Sequence, residues 1–272
     1  MKFYKMNGAG NAFVIFDARK EKLDLTPERI REIADPATGA GADQIMAMEA
    51  SLRGDVFMRI WNSDGGEVSA CGNATRCVGW LLMEEGKGEK VIIETGAGRL
   101  VATRAGPTEI SVDMGSPLLK WEEIPLAERM DTRGIDLKIG PIDKPYLQLP
   151  GCVNMGNPHV VFFVPDVSTV DVTALGSMLE HHPLFPQSVN VGFAEVKAKD
   201  HIRLRVWERG AGLTLACGTG ACAAVVAGAR RNLIDRAAKV TMDGGDLHVH
   251  WQEDTDHVIL TGPVEMEYES AL

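Results

Sequence analysis

One long internal repeat constrains this chain more than any other feature. Met58-Arg59-Ile60-Trp61 leads to Ala70-Cys71-Gly72, and Leu204-Arg205-Val206-Trp207 leads to Ala216-Cys217-Gly218. In both copies the tryptophan precedes the cysteine by ten residues (71 − 61 and 217 − 207). The cysteines lie 146 positions apart (217 − 71). The same offset carries Arg59 onto Arg205, Gly66 onto Gly212, Gly10-Asn11 onto Gly156-Asn157, Val14 onto Val160, Phe16 onto Phe162 and Gln44 onto Asn190. Toward the ends of the halves it becomes 147, where Gly98, Leu100 and Gly115 meet Gly245, Leu247 and Gly262. A period this long marks a duplicated domain rather than a solenoid. We read two domains of one fold, residues 1–117 plus 263–272 and residues 118–262, facing each other about a pseudo-two-fold axis.

A chain of 272 residues gives each half room for its own core. The formal charge of −10 argues against nucleic acid, which rewards a basic face, and disfavours an anionic membrane surface. No apolar stretch approaches a membrane span, and no signal-like run follows the amino-terminal lysines. Five scattered cysteines fit free thiols in a reducing cytoplasm.

Local signals repeat in order. Phe13-Val14-Ile15-Phe16 reads as a strand after a Gly8-Ala9-Gly10 turn. Thr26-Pro27 opens a helix as N-cap and first residue, ending before Pro36. Strands are expected at 45–48 and 56–61, a helix from Thr75 to about Glu85 closed by Gly86 and Gly88, and strands at 91–95, 99–103 and 109–114. The segment 117–150, with five prolines and no strong period, reads as a crossover. The second half then gives a strand at 160–163, a helix over about 172–181, strands at 189–196 and 201–207, a helix from about Gly220 to Asn232, and strands at 239–242, 247–251 and 258–260. The last residues, from Pro263, lie beyond the repeat and are expected to return to the first domain.

From Cys217 to Ala229 there is no charged residue, and between Cys71 and Met83 only Arg76. A helix that is apolar all round is buried. The expected fold is therefore α/β (α+β): two pseudo-symmetric domains, each a mostly antiparallel, β-barrel-like sheet wrapped round a central helix whose amino-terminal end carries the cysteine.

That position has chemical consequences. A helix start exposes unpaired N–H groups and partial positive charge, binds carboxylates and stabilises thiolates. Gly72 and Gly218 allow a ligand close to that backbone. Two such ends facing one substrate would put a sulfur on each side of the α-carbon. One thiolate removes the α-proton, and the opposite thiol returns one, which inverts the centre. The halves also differ: Phe13, Asn62 and Ser63 in the first correspond to His159, Glu208 and Arg209 in the second. Arg209 with Glu208 suits a second charged head group on the substrate, and Glu208 and His159 are placed to tune the thiols. No cofactor is required by this scheme. His248 and His250 alternate on one strand without further ligands at suitable spacing, so no metal site is expected.

The motifs MNGAGNAFV, GADQ, EVSACGNATRC, MGNPHVVFFV, SVNVGF and WERGAGLTLACGTGACAA resemble diaminopimelate epimerase, and they run from residue 6 to residue 224. The resemblance implies a cofactor-independent, homodimeric enzyme of lysine and peptidoglycan precursor synthesis, with Cys71 and Cys217 as the acid/base pair. It implies substrate contacts by Asn11, Gln44, Asn62, Asn157 and Asn190. It gives Gly72, Asn73, Gly218 and Thr219 the donors at the reacting carboxylate, and Glu208 and Arg209 the distal amino acid group. His159 and Glu208 would adjust the thiol pKa values. Two residues depart from the family pattern: Ala12 stands where Asp is usual, and Ala74 where a second Gly is common.

Three other readings stay open from the sequence. A racemase of another amino acid shares the paired cysteines, although proline racemases normally carry a His where this chain has Asn73. A thiol–disulfide oxidoreductase would more often show Cys-x-x-Cys, absent here. A non-catalytic amino acid binding protein would use the same cleft.

Overall fold

The structure, a computed structural model, describes residues 2–69 and 71–271; Ala70, which the repeat pairs with Ala216, and the terminal residues of the expected first domain lie outside them. The chain divides into two compact units, Met1–Met114 with Thr261–Leu272, and Gly115–Leu260. The sequence expectation put the same divisions three and two residues later, at 117/118 and 262/263.

The first unit begins with an antiparallel hairpin, β1 (Lys2–Gly8) and β2 (Asn11–Asp17). Helix α1 (Pro27–Ala34) then crosses to β3 (Gln44–Glu49), which pairs with β2 in parallel. Thr26 caps α1 through its side chain, with Pro27 next, as the sequence indicated. Strands β4 (Val56–Asn62) and β5 (Glu67–Val68) extend the sheet antiparallel. Helix α2 (Gly72–Glu84) leads to β6 (Lys90–Thr95), parallel to β4, and then to β7 (Gly98–Gly106) and β8 (Glu109–Asp113).

The second unit starts with a two-stranded pair, β9 (Lys138–Ile139) and β10 (Leu147–Gln148). It then repeats the first topology. Hairpin β11 (Gly151–Asn154) and β12 (Pro158–Phe163) is followed by a 3-10 turn and α3 (Val172–Glu180). Strand β13 (Asn190–Ala198) lies parallel to β12, and β14 (His201–Glu208) and β15 (Gly212–Thr214) follow antiparallel. Helix α4 (Gly218–Arg230) leads to β16 (Ala237–Met242), parallel to β14, then β17 (Gly245–Trp251) and β18 (Val258–Pro263), whose residues from Thr261 on belong to the first unit. The final strand, β19 (Glu265–Ala271), pairs antiparallel with β1 and so closes the first unit.

The burial patterns follow from this arrangement. Parallel neighbours β2 and β3, and β12 and β13, are covered on both faces and read as continuous apolar runs. Strand β17 alternates buried and exposed residues and β14 buried and half-buried ones, as a partly solvated face requires. His248 and His250 fall on the exposed face of β17, opposite Lys239 and Ala237. Eleven of the thirteen residues of α2 and ten of those of α4 are buried, so both helices are cores rather than surface elements. Around α2 pack Met6, Phe13, Met46, Ile60, Ile93 and Ile110.

Two expectations need correction. Both central helices start earlier than predicted, at Gly72 rather than Thr75 and at Gly218 rather than Gly220. Gly72-Asn73 and Gly218-Thr219 are poor helix formers, and burial of the first turn overrides that propensity. The segment 117–150 is more than a crossover. Its Ile124, Leu126, Ile135, Leu137 and Leu147 join Phe162 and Phe193 in the core of the second unit.

Candidate active site

Each unit carries one half-site, built on equivalent elements. Cys71 and Cys217 are the N-caps of α2 and α4, both in extended backbone conformation (φ −150°, ψ 116° and φ −135°, ψ 107°). Each sulfur therefore sits where the first turn's N–H groups are unpaired. The hairpin turn before each expected substrate asparagine needs a left-handed residue. Gly10 (φ 89°) and Gly156 (φ 94°) supply it, which explains why the repeat keeps glycine there.

In the first unit, the Asn73 amide donates to Asn11 Oδ1 at 2.6 Å, and Arg76 Nη1 donates to Asn73 Oδ1 at 2.9 Å. Arg76 is fully buried. Gln44 Nε2 donates to Asn62 Oδ1 at 2.9 Å across the β3–β4 ladder, where the two residues are direct partners. Asp43 joins these loops: its carboxylate accepts from the Ala12 N–H, its own N–H donates to the Ala12 carbonyl, and its carbonyl accepts from Ser63 N–H. The Ala12 backbone is thus held in place by a neighbour's carboxylate. Ala74, the other departure from the family pattern, is wholly buried in the α2 core.

The second half-site is wired differently. His159 Nε2 lies 3.0 Å from Asn157 Oδ1 and 3.1 Å from Thr219 Oγ1. Thr219 Oγ1 is in turn 3.6 Å from Cys217 Sγ, and Gly220 N–H donates to the same sulfur at 3.3 Å. A Cβ at position 220 would stand 3.1 Å from that sulfur, so any larger residue crowds it. Burial, with the Arg209 cation adding to it, lowers His159 to about 3, so the imidazole is neutral. In the Nε2–H tautomer, which the amide oxygen of Asn157 favours, the ring donates to that oxygen and to the threonine oxygen, and the threonine hydroxyl hydrogen is left for the sulfur.

Burial first, and then the Glu208 carboxylate, push the Cys217 thiol well above the usual thiol range, against the Thr219 and Gly220 hydrogen bonds. Burial also raises the Glu208 carboxyl, opposed by hydrogen bonds from Thr214 and Cys217. The Thr214 hydroxyl donates to Glu208 Oε1 at 2.6 Å. Asn190 is buried and bridges two loops: its amide donates to the Pro158 carbonyl at 2.8 Å, and its Oδ1 accepts from Arg209 N–H at 2.9 Å. The Arg209 side chain is exposed, with Nη1 donating to the Gln187 carbonyl.

The structure brings Asn11 together with Asn73, Gln44 with Asn62, Asn157 with His159 and Thr219, and Glu208 with Cys217. Three participants escaped the sequence reading. Thr214 holds Glu208. Glu180, at the end of α3, accepts from the Trp207 indole and from Gly210 N–H and so fixes the turn that carries Arg209. Arg76 was noticed only as a lone charge. Cys77, Cys152 and Cys222 are buried, and burial drives Cys77 up to about 12, as expected of structural thiols. Among the described residues, no three His, Cys, Asp or Glu side chains gather as metal ligands would, and no helix is long and apolar enough to cross a membrane.

Known proteins resemble this chain over nearly its whole length. A protein of Phenylobacterium zucineum (strain HLK1) named diaminopimelate epimerase is 56% identical over 99% of this chain and 97% of its own length. A like-named protein of Caulobacter sp. (strain K31) is 54% identical over 98% and 95%. Among solved structures, a hydroxyproline epimerase from Agrobacterium vitis shares the fold, with a TM-score of 0.68 at 15% identity over 99% of this chain and 91% of that one. The pattern of the family described as diaminopimelate epimerase matches residues 3–120 and 151–267, leaving between them most of the proline-rich segment. The chain belongs to the diaminopimelate epimerase family and is an amino acid epimerase.

Proposed function

We propose that this protein inverts one α-carbon of LL-2,6-diaminopimelate to give meso-diaminopimelate, with Cys71 and Cys217 as the proton-transfer pair. The observation that carries the reading is the equivalence of the two half-sites. Each has a cysteine at the N-cap of a buried helix, with an asparagine-bearing turn on the neighbouring hairpin. In the proposed mechanism both helix starts would offer N–H groups to one substrate carboxylate, where charge develops when the α-proton leaves.

Burial and the Glu208 carboxylate raise the Cys217 thiol well above its usual range, so in the direction we propose Cys71 supplies the thiolate and Cys217 the proton. The Cys71 sulfur takes the α-proton, and the C–H electron pair passes into the carboxylate as an enolate-like carbanion. The Cys217 S–H bond then breaks and its proton joins the opposite face of carbon. The product form has a Cys71 thiol and a Cys217 thiolate, and it is competent for the reverse reaction. No redox change and no further reactant are needed. Thr219 and Gly220 stabilise the Cys217 thiolate as it appears, and Glu208 favours its reprotonation.

The exposed Arg209, with Glu208, suits the distal amino and carboxyl groups, which a proline-like substrate lacks. Gln44, Asn62, Asn11 and Asn157 then complete the contacts. Following the family resemblance, we propose a cofactor-independent homodimer serving lysine and peptidoglycan precursor synthesis in the cytoplasm. The test is α-proton exchange: LL-diaminopimelate is incubated with the protein in deuterated water and followed by NMR. Deuterium incorporation with appearance of the meso isomer is expected. Binding without exchange, or thiol oxidation in its place, overturns the reading.

A further inference from the structure

Arg76 is the largest side chain buried to completion, with 0% of its surface exposed. A buried cation is costly unless its hydrogen bonds serve it well, and filling space needs no charge. At the equivalent position of the second unit (76 + 146) stands Cys222, so the fold itself does not require arginine there. We propose that Arg76 is a positioning residue that sets the direction of the Asn73–Asn11 hydrogen-bond chain and thereby decides which end of the Asn11 amide meets the substrate. The proposal rests on the epimerase reading above.

The argument is one of donors and acceptors. An amide side chain can face either way, because its two ends are nearly the same shape. Guanidinium has donors only. Nη1 of Arg76 therefore takes the oxygen of Asn73, at 2.9 Å, which turns the Asn73 nitrogen outward. That nitrogen donates to Asn11 Oδ1 at 2.6 Å. The Asn11 oxygen is then occupied, and the end left to a ligand is its NH₂. Polarity runs from the cation to a donor at Asn11, as a substrate carboxylate requires. Asn73 is itself 2% exposed, so water is not the agent that orients it. In the second unit the same task falls to His159, which stands between Asn157 and Thr219.

Three variants test this. Wild-type exchange of the α-proton is measured first; if it is absent, the epimerase reading fails and the proposal is not what failed. Given exchange, Arg76→Met, once shown folded by circular dichroism and urea unfolding, is expected to raise KM about tenfold or more, with kcat changed less than about threefold, the scale of one lost hydrogen bond to a charged group. Arg76→Lys keeps a donor-only cation and is expected to restore most of that loss. Asn73→Asp keeps the Arg76 contact as an ion pair but offers oxygen at both ends, so Asn11 must turn its own oxygen to the ligand. Its KM is expected to rise at least tenfold even if Arg76→Met does not fold. A folded Arg76→Met with wild-type KM overturns the proposal. So does an Asn73→Asp enzyme with unchanged KM, or an Arg76→Lys enzyme no better than Arg76→Met.

Discussion

The two half-sites share a backbone and differ in their wiring. In the first, Phe13, Asn62 and Val68 occupy the places held by His159, Glu208 and Thr214 in the second. The ladders confirm the correspondence: Val68 pairs with Ile60, and Thr214 with Val206, at matching points of β4 and β14. With Phe13 in place of a histidine, Asn73 reaches Asn11 directly, and the ordering charge is Arg76 within α2. In the second half the ordering group is a neutral imidazole, and a carboxylate has been added beside the sulfur. Duplication supplies two helix-capping thiols, and divergence places a carboxylate beside one of them, which adds to burial in raising that thiol.

If the halves are unequal in setting but equal in necessity, removing either sulfur should cost alike. Cys71→Ala and Cys217→Ala are each expected to lower the rate of inversion by about 10²–10⁴, the scale of one general acid or base. Exchange and inversion, measured separately by NMR in deuterated water, check it. A variant of either cysteine that still inverts at near-normal rate breaks the pairing and leaves one half-site ornamental.

A smaller effect follows from making the second half resemble the first. Thr214→Val installs the residue found at position 68 and removes the 2.6 Å hydrogen bond to Glu208. That bond opposes the rise of the Glu208 carboxyl, so its loss raises the carboxyl further. In the proposed mechanism Glu208 acts as carboxylate. The acid limb of the kcat/KM profile should therefore move to higher pH. An unmoved limb would show that Glu208 does not report on turnover. The basic limb and the fold, followed by circular dichroism, are expected to stay as they were.

The chain itself announces much of this comparison, and particular residues show where it falls silent. The duplication, the two apolar helices and the exchange of Phe13 for His159 are local or periodic features, and periodicity is what a single sequence displays best. The helix starts were misplaced because Gly72-Asn73 and Gly218-Thr219 are weak helix formers, held in place only by tertiary burial. Thr214 and Glu180 act on residues 6 and 30 positions away, through contacts that exist only once the strands have paired. Arg76 was visible as the one charge in an apolar helix. That signal could have identified it, since a charge carried into a core needs a partner of matching chemistry.

The smallest expected effect concerns His159, which has no titratable counterpart at Phe13. Its folded pKa is lowered to about 3 by burial and by Arg209, while an unfolded histidine titrates near 6.5. Below about pH 6.5 the unfolded chain takes up a proton that the folded protein refuses. Stability from this group is therefore present above pH 6.5 and is lost as the pH falls toward 3. The slope for one such group is about 1.4 kcal/mol per pH unit. His159→Phe copies the first half and removes the linkage. Urea unfolding of both proteins at pH 7, 5.5 and 4.5 should then show the gap between them closing, or changing sign, as the solution is acidified. The variant is expected to lose stability less steeply than the wild type, whatever the packing costs at neutral pH. Parallel stability profiles would mean that His159 takes up its proton in the folded protein at the same pH as in the unfolded chain. The second half-site would then carry a cation in acid, as the first carries Arg76, and the contrast between the two wirings would be lost there.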